Sequence, residues 1–297
     1  MKRINLSNQS LNKDWSMQFM DDSHYDTLID ESVEVYQPDG EPLMVLVKNA
    51  LSKEKIALAW SVLKKYRAIT ENRSTASGIE SQARVKKDGT VSNVHRVPKG
   101  WEVESGIIGY FERNPRMPYC HPCSWNDHNP EKFQKIFPLA QEISGKFSEL
   151  VPKRYAVQQN YCNRTHSDFI IPGTVYTTIT VNKNFRTACH LDAGDLAAGF
   201  SSMFIIKQGA IRGGNLVLPN WKIGVKLDHN DLIFFNAHEW HGNTQIVNLS
   251  KDSVRCSLVL YYREMMEFCM SMKDELDFAK NRKTGEPLYD KQHSDPK

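Results

Sequence analysis

Apolar residues recur at helical spacing in two stretches of the first half of the chain. A capping serine, Ser52, precedes the first stretch, which predicts a helix from about Lys53 to Ala68. The second stretch begins at Asn129, and its apolar stripe continues to Phe147. A final helix is predicted from about Glu264 to Asn281.

After Pro152 the pattern changes to short runs rich in β-branched and aromatic residues, separated by Gly, Asn, Asp and Pro. The predicted strands are Val175–Val181, Phe200–Ile206, Asn215–Leu218, Ile223–Leu227, Asp231–Asn236 and Val254–Tyr262. Many short strands at close spacing indicate a β-sandwich or jelly roll. With the helices before and after it, this barrel gives an α+β fold class.

The remaining segments are polar and weakly periodic. Residues 1–50 predict an irregular N-terminal arm, and residues 72–109 predict long loops or short hairpins. The end of the chain, 286–297, is expected to be frayed. We therefore expect one catalytic domain over 51–285, with its barrel at about 152–262.

Composition narrows the class of protein. The 297 residues are 40% apolar and 25% charged, which is typical of a globular chain and excludes a fibrous or disordered one. A net charge of +3 is too small for a polycation that coats nucleic acid by charge alone. Apolar runs are strand-sized, and the start does not resemble a secretory leader, so we expect an intracellular protein with six reduced cysteines, in cytoplasm or nucleus.

The residues that carry chemistry lie in the strand-rich half. His190 and Asp192 are two residues apart, which places both side chains on one face of an extended segment. About fifty residues later, His241 follows another predicted strand. Two histidines and one carboxylate form the facial triad of non-haem Fe(II) oxygenases, which leaves coordination positions open for a co-substrate and dioxygen.

A third element supports this interpretation. Arg255 and Ser257 lie on the last apolar strand, again two residues apart and on one face. An inward arginine with a neighbouring hydroxyl is suited to grip the distal carboxylate of 2-oxoglutarate. His238 is the competing candidate for the third ligand, but Gly242 after His241 favours His241, leaving His238 as a supporting or surface residue.

These motifs carry a family resemblance. The segments 177–195, 213–219 and 231–244 resemble the TET and J-base-binding-protein (TET/JBP) class of 2-oxoglutarate dioxygenases. Residues 72–78, 105–113 and 118–120 look like the segments before the barrel in the JBP branch, so the resemblance covers about 72–262. Two departures are visible: the sequence has no large cysteine-rich region like that of animal TET enzymes and no room for the DNA-binding insertion of JBP proteins. It looks like a compact unit of the kind found in viral or microbial members.

The resemblance implies a double-stranded β-helix, a cupin-like jelly roll, in which His190, Asp192 and His241 bind Fe(II). It also implies that Arg255 and Ser257 bind 2-oxoglutarate, with O2 as the second co-substrate. Members of the class oxidise the 5-methyl group of a pyrimidine in DNA, thymine in one branch and 5-methylcytosine in the other. A base in a duplex would have to be flipped into the pocket. The same iron chemistry on a protein side chain or a free small molecule is the alternative, because fold does not fix substrate.

Candidate substrate contacts are less sharply defined. Arg73, Arg113, Arg116 and Asn182 lie in family-like segments and are our predicted substrate-binding residues; for the three arginines, simple structural pairing is the alternative. Residues 64–99 include nine basic and three acidic residues. Because of this excess of positive charge, we expect DNA to bind there. The basic residues and the aromatic singled out in this stretch are Arg84, Lys86, Lys87, Arg96, Lys99 and Trp101.

The pair Cys120 and Cys123 has the spacing of half a zinc site. There is no second such pair, and the nearby His121 and His128 do not match the spacing of a zinc finger. We therefore expect this segment to line the pocket without a metal.

Overall fold

The computed structural model describes residues 1–70, 73–78, 82–85, 91–94, 102–283 and 285–289. Within them the α-helices are α1 (Lys53–Leu63), α2 (Ser124–His128), α3 (Pro130–Gln134), α4 (Phe137–Leu150), α5 (Pro152–Arg164) and α6 (Met272–Asn281). The strands of the first half are β1 (Lys2–Asn5), β2 (Thr27–Ile29), β3 (Val33–Tyr36), β4 (Pro42–Val47), β5 (Ile69–Thr70), β6 (Gln82–Val85), β7 (Val91–Val94), β8 (Val103–Phe111) and β9 (His121–Pro122). Those of the second half are β10 (Thr178–Lys183), β11 (Ser201–Gln208), β12 (Ile211–Gly213), β13 (Leu216–Leu218), β14 (Ile223–Val225), β15 (Leu232–Phe235), β16 (Gly242–Asn243), β17 (Ile246–Asn248) and β18 (Val254–Tyr261).

Two sheets form the barrel. The larger one has the order β1-β3-β4-β15-β11-β18-β10-β8-β5, with β9 paired to β8, and the smaller one has the order β16-β13-β14-β2. The strands predicted after Pro152 are all found, and each supplies one of these two sheets. Two separate hairpin-like pairs, β12 with β17 and β6 with β7, complete the strands of the described residues.

The alternation of side chains along the central strands divides the core into two layers. On β11, Phe204 belongs to a cluster shared with the helices, where it joins Phe147 of α4. Its neighbour Ile205 points to the other face and packs with Leu216 and Val225 of the smaller sheet. The larger sheet is therefore covered by helices on one face and by the smaller sheet on the other.

The N-terminal arm is not irregular, so that prediction is wrong. β3 and β4 join the larger sheet through β15, and β2 extends the smaller sheet through β14. Six of the residues in β3 and β4 are buried. β3 alternates buried and half-buried residues and β4 is continuously apolar, but both are short. They are stable because they pair with the edge of a barrel built by distant residues.

Two helix predictions and the predicted start of the barrel need correction. The first helix ends at Leu63, because the following residues lead into β5 and its pairing with β8. The second is two helices, α3 and α4, with Pro138 in the first turn of α4, where its missing N–H costs nothing. The barrel does not begin at 152, because α5 occupies that segment and buries only Gln158 and Cys162, which leaves no apolar stripe to detect.

The expected loops of 72–109 include one hairpin, β6 and β7, and one long strand. That strand, β8, pairs along its length with β10. The predicted C-terminal helix is also divided, into a 3-10 turn over Glu264–Phe268 and the helix α6. The beginning of the expected frayed end is held in place, since the Tyr289 hydroxyl donates to the carbonyl of Arg113. Residues 290–297 lie outside the described residues.

A disulfide bond contradicts the expectation of six reduced cysteines. Cys120, which follows β8, is bonded to Cys269, which precedes α6. The other four cysteines are free and buried. The bond joins positions 149 residues apart, and sequence spacing alone does not reveal such a pairing.

None of the helices within the described residues has the length and apolar character needed to cross a bilayer.

Candidate metal centre and cavity

A cavity of about 570 Å³ lies between the two sheets. Met203 and Phe235 line it from the larger sheet, and Leu216 lines it from the smaller one. Its volume is in the range of sites that enclose small ligands. The side chains that carry the predicted chemistry converge on this cavity.

His190 and His241 are brought together by their own main chains. The N–H of His190 donates to the carbonyl of His241 at 2.9 Å, and the N–H of His241 donates back at 3.1 Å. The two imidazole ring centres are 4.4 Å apart. Gly242 makes this approach possible, because a Cβ there would lie 3.0 Å from the main-chain nitrogen of Cys189.

Both rings are oriented by a second hydrogen bond. Nδ1 of His190 is 2.8 Å from the carbonyl oxygen of Ala188, and Nδ1 of His241 is 2.9 Å from that of Glu239. Each Nδ1 therefore carries a hydrogen and donates a hydrogen bond to the carbonyl, which leaves the lone pair of the neutral ring on Nε2. The Nε2 atoms lie 3.4 and 3.9 Å from the carboxylate oxygens of Asp192.

The side chains of His190, Asp192 and His241 shift one another's pKa values. Burial would lower the pKa of His190, but the hydrogen bond and charge of Asp192 raise it above its ordinary value. Burial and repulsion from His190 lower the pKa of His241 to about 4, so this ring is neutral at physiological pH. Burial alone would raise the pKa of Asp192, whereas the two histidines lower it. One ligand atom from each of the three lies within 4.8 Å of the others, close enough to hold one metal ion.

Arg255 reaches the same cavity from β18. It is 4% exposed, and its Nη2 donates to the carbonyl of Gly214 at 3.1 Å. Its Nε is buried and has no hydrogen-bond partner within the described residues. Burial lowers the pKa of Arg255 to about 10, so the guanidinium remains charged at neutral pH. Ser257, two residues on, lines the cavity beside it.

The inward face of β18 extends beyond this point. The alternate residues along and just beyond the strand all line the cavity, namely Arg255, Ser257, Val259, Tyr261 and Arg263. Arg255 and Tyr261 are six positions apart along the strand, so their main chains are separated by about 20 Å. The cavity therefore has two polar ends, one at Arg255 and one at Arg263.

The Arg263 end contains a second charged group. The guanidinium of Arg263 donates to both carboxylate oxygens of Glu112 and lies 5.2 Å from the ring centre of Phe111. Asp195 is buried nearby and accepts a hydrogen bond from Ser201 at 2.8 Å. Burial and the carboxylate of Asp192 raise the pKa of Asp195 well above its ordinary value.

The four predicted substrate contacts divide into two pairs. Arg73 and Asn182 line the cavity. Arg113 does not belong to the cavity lining: it is buried in an ion pair with Glu275, at 2.7 Å. Arg116 is exposed in a turn, away from the cavity. The geometry thus contradicts the placement of Arg113 at the cavity, because its side chain is paired with Glu275. For Arg116, outside the cavity lining, contact with DNA stays a prediction.

Three other candidates came from the sequence, namely His238, the pair Cys120 and Cys123, and the basic stretch before the barrel. His238 is not in the metal-ligating group of the described residues, and its Nε2 is buried without a hydrogen-bond partner among them. Cys123 is a free buried thiol, and Cys120 is in the disulfide, so the two do not form half a zinc site. The side chains of the predicted basic stretch, namely Arg84, Lys86, Lys87, Arg96, Lys99 and Trp101, lie outside the described residues.

The residues at the Arg263 end of the cavity were not predicted from the sequence. Tyr261 and Arg263 continue the alternation that starts at Arg255, so the period of two along β18 is the signal that would have found them. Glu112 and Asp195 carry no comparable signal, because their position depends on how β8 and the segment after Asp192 approach β18.

A two-histidine, one-carboxylate group that opens into a cavity between two facing sheets is the arrangement of non-haem Fe(II) oxygenases. Residues 106–264, more than half of the chain, match the model of the Tet_JBP family, described as the oxygenase domain of the 2OGFeDO superfamily. The chain belongs to this family. Members of the superfamily use Fe(II), 2-oxoglutarate and O2.

Curated relatives and a solved structure agree with this assignment. The thymine dioxygenase JBP1 of Leishmania braziliensis is 29% identical over 250 residues, which cover 82% of this chain and 28% of that protein. The bifunctional helicase and thymine dioxygenase JBP2 of Leishmania infantum is 32% identical over 55% of this chain and 15% of its own length. The chain thus spans about a quarter or less of these relatives. The structure of NgTET1 in complex with 5mC DNA has a TM-score of 0.56 at 18% identity, covering 86% of this chain and 90% of that one. This similarity confirms the predicted double-stranded β-helix with flanking helices.

Proposed function

We propose that this protein is an Fe(II)- and 2-oxoglutarate-dependent dioxygenase that hydroxylates the 5-methyl group of a pyrimidine base, 5-methylcytosine or thymine, in DNA. The observation that carries the proposal is the convergence of His190, Asp192 and His241 on a cavity that also contains the buried guanidinium of Arg255. One site can then hold a metal, a dicarboxylate and a substrate group at the same time.

The residues present fit Fe(II). His190 and His241 would bind it through Nε2, since their Nδ1 atoms are occupied by carbonyl groups. Asp192 would supply the anionic ligand. Bound Fe(II) would supply the activation of dioxygen, coupled to conversion of 2-oxoglutarate into succinate and carbon dioxide, that oxidises the methyl group. The neutral state of His241 keeps its lone pair available at physiological pH.

Arg255 fits the distal carboxylate of 2-oxoglutarate. Its Nε is buried without a partner among the described residues, and a buried charged donor of this kind calls for an anionic acceptor. Ser257 would donate a further hydrogen bond from the same face of β18. The fixed carbonyl contact from Gly214 holds the guanidinium in one orientation.

The substrate base would occupy the other end of the cavity. Arg73 lines the wall there with Tyr261 and Arg263, which offer donors and acceptors for the polar edge of a pyrimidine. Asn182 also lines the cavity, but it pairs with Ser257 across β10 and β18 and so lies nearer the Arg255 end. Nε of Arg73 is also buried without a partner among the described residues. A base in duplex DNA must leave the stack to reach such an enclosed site, so we propose that it is flipped.

Two similarities support DNA as the substrate. The curated relatives are named thymine dioxygenases, and they match the part of this chain that contains the metal centre. The protein that shares the fold was solved with 5mC DNA. Neither selects between the two bases for this chain.

The test is a reaction with Fe(II), ascorbate and 2-oxoglutarate on duplex DNA containing thymine alone or thymine with 5-methylcytosine. We expect succinate formation stimulated by DNA, together with a 5-hydroxymethylpyrimidine nucleoside after digestion and mass spectrometry. His190→Ala and Asp192→Ala should abolish both products while the protein remains folded. Succinate that increases only with a peptide or a free metabolite would contradict the proposal and favour another hydrogen donor.

A further inference from the structure

The extended segment that carries His190, between β10 and β11, is held from behind by a turn of the N-terminal arm. We define the N-terminal turn as residues 15–20. The N–H of Met17 donates to the carbonyl of Cys189 at 2.9 Å, and the N–H of Cys189 donates to the carbonyl of Gln18 at 2.7 Å. Cys189 is fully buried and directly precedes His190.

The N-terminal turn is anchored on both sides of this contact. Trp15 is 8% exposed, and its indole N–H donates to the side chain of Asn220 at 2.8 Å. Trp15 and Met20 pack with Cys189 and Val217 in a small apolar cluster. The carbonyl of Met20 accepts a hydrogen bond from Arg186 at 2.8 Å.

The other side of the same segment faces the segment that carries His241. Gly242 approaches the main chain of Cys189 so closely that a Cβ there would lie 3.0 Å from the nitrogen, closer than ordinary van der Waals contact. Ala188, whose carbonyl orients the His190 ring, is itself held by a bond from its N–H to the carbonyl of Ala76. Residues 188–190 are therefore clamped between the His241 segment and the N-terminal turn.

We propose that the N-terminal turn is a positioning element for the metal centre, with Trp15 as its anchoring side chain. It contacts no metal ligand atom, and it acts by fixing the main chain from which His190 projects. The turn lies outside residues 106–264 that match the family. The inference rests on the proposed metal-binding role of His190, Asp192 and His241.

The mechanism of this positioning is the satisfaction of buried main-chain groups. Without the turn, the N–H and carbonyl of Cys189 would be buried with no hydrogen-bond partner. The segment 188–190 would then shift to a position in which these groups are hydrogen-bonded. A shift of the main chain at Cys189 changes the distance between the two Nε2 atoms. Outer residues that orient metal ligands in this way change metal affinity by about tenfold or more when they are removed.

The test uses the full chain and Co(II) in place of iron, followed by its visible absorption. We expect Trp15→Ala to weaken Co(II) binding about tenfold and Trp15→Phe, which keeps the ring, to restore most of the affinity. Hydrogen exchange measured by mass spectrometry should be faster in the peptide that contains Cys189. Ile4→Ala is the matched control, because Ile4 packs in the same arm but away from residues 188–190.

The outcomes separate this inference from the proposed function. If His190→Ala binds Co(II) as tightly as the unaltered protein, the metal assignment fails and the inference fails with it. If His190→Ala loses Co(II) while Trp15→Ala retains full affinity, only the positioning role is overturned. Equal weakening by Ile4→Ala would also overturn it, since the effect would then be general destabilisation. If Trp15→Ala does not fold, Arg186→Ala removes the side-chain contacts to Met20 and Phe19 that anchor the other end of the turn, and unchanged Co(II) affinity in that variant would have the same meaning.

Discussion

Gly242 and Cys189 lie against each other with no room for a side chain between them: a Cβ on Gly242 would be 3.0 Å from the Cys189 nitrogen and 3.1 Å from its Cα. Gly242 follows His241 and Cys189 precedes His190, the two histidines proposed to bind Fe(II). The close approach of these two main chains therefore sets the separation of the two imidazoles.

Gly242→Ala should weaken Co(II) binding by about tenfold, because the added methyl group moves one ligand segment relative to the other. The main chain of Cys189 cannot move away freely, since the N-terminal turn holds its other side. Gly145→Ala is the control: it lies in α4 with open space around its Cβ, and alanine is favoured there by about 1 kcal/mol. Titration of Co(II) by absorption checks this, and unchanged affinity in Gly242→Ala would show that the spacing is not critical.

Arg255→Ala should raise the dissociation constant for 2-oxoglutarate at least about thirtyfold, or about 2 kcal/mol, by removing the buried charge proposed to bind its carboxylate. Calorimetric titration with Mn(II) in place of iron measures this directly. Arg255→Lys should recover only part of the affinity, because a lysine cannot form the bidentate contact. Arg116→Ala, at an exposed position, should change nothing. A variant lacking Arg255 that binds 2-oxoglutarate normally would exclude this site.

Arg113→Ala should destabilise the protein by about 3 to 5 kcal/mol, because it leaves the fully buried carboxylate of Glu275 without its partner. Urea unfolding measures this loss. Replacing both partners by apolar residues, as in Arg113→Met with Glu275→Leu, should restore only part of the stability, because the Glu275 carboxylate also accepts hydrogen bonds from the main-chain N–H groups of Cys120 and Met270. If Arg113→Ala keeps its stability but loses activity on DNA, the substrate role first expected from the sequence would be restored.

Four of the six cysteines should react with iodoacetamide when the protein is denatured without reductant, because Cys120 and Cys269 are joined. Cys120→Ser should lower the free energy of unfolding by about 2 to 5 kcal/mol, and Cys269→Ser should lower it by a similar amount. Six labelled cysteines in protein purified without reductant would contradict the disulfide.

The grouping of the candidate metal ligands was predictable from the sequence because it depends largely on local spacing. His190 and Asp192 are two residues apart on an extended segment, and Arg255 and Ser257 share one face of a strand, so the period of two is enough to group them. The choice of His241 over His238 agrees with the geometry for the same kind of reason, since Gly242 marks the close approach.

The arm, α5 and the disulfide were not predictable, because each depends on distant partners. β3 and β4 are stabilised by the edge of β15, almost 190 residues away in sequence. α5 buries few side chains and shows no stripe. Arg113 was misplaced because its family-like surroundings do not reveal that Glu275, 162 residues later, is its partner.

We propose that the centre formed by His190, Asp192 and His241 transfers oxygen from O2 to a base in DNA. Reaction under ¹⁸O₂ with Fe(II), 2-oxoglutarate and duplex DNA, followed by mass spectrometry of succinate and nucleosides, follows both oxygen atoms. We expect one labelled oxygen in succinate and one in the hydroxymethyl group of the pyrimidine, with neither product formed by Asp192→Ala. Labelled succinate with no label in any nucleoside would contradict it.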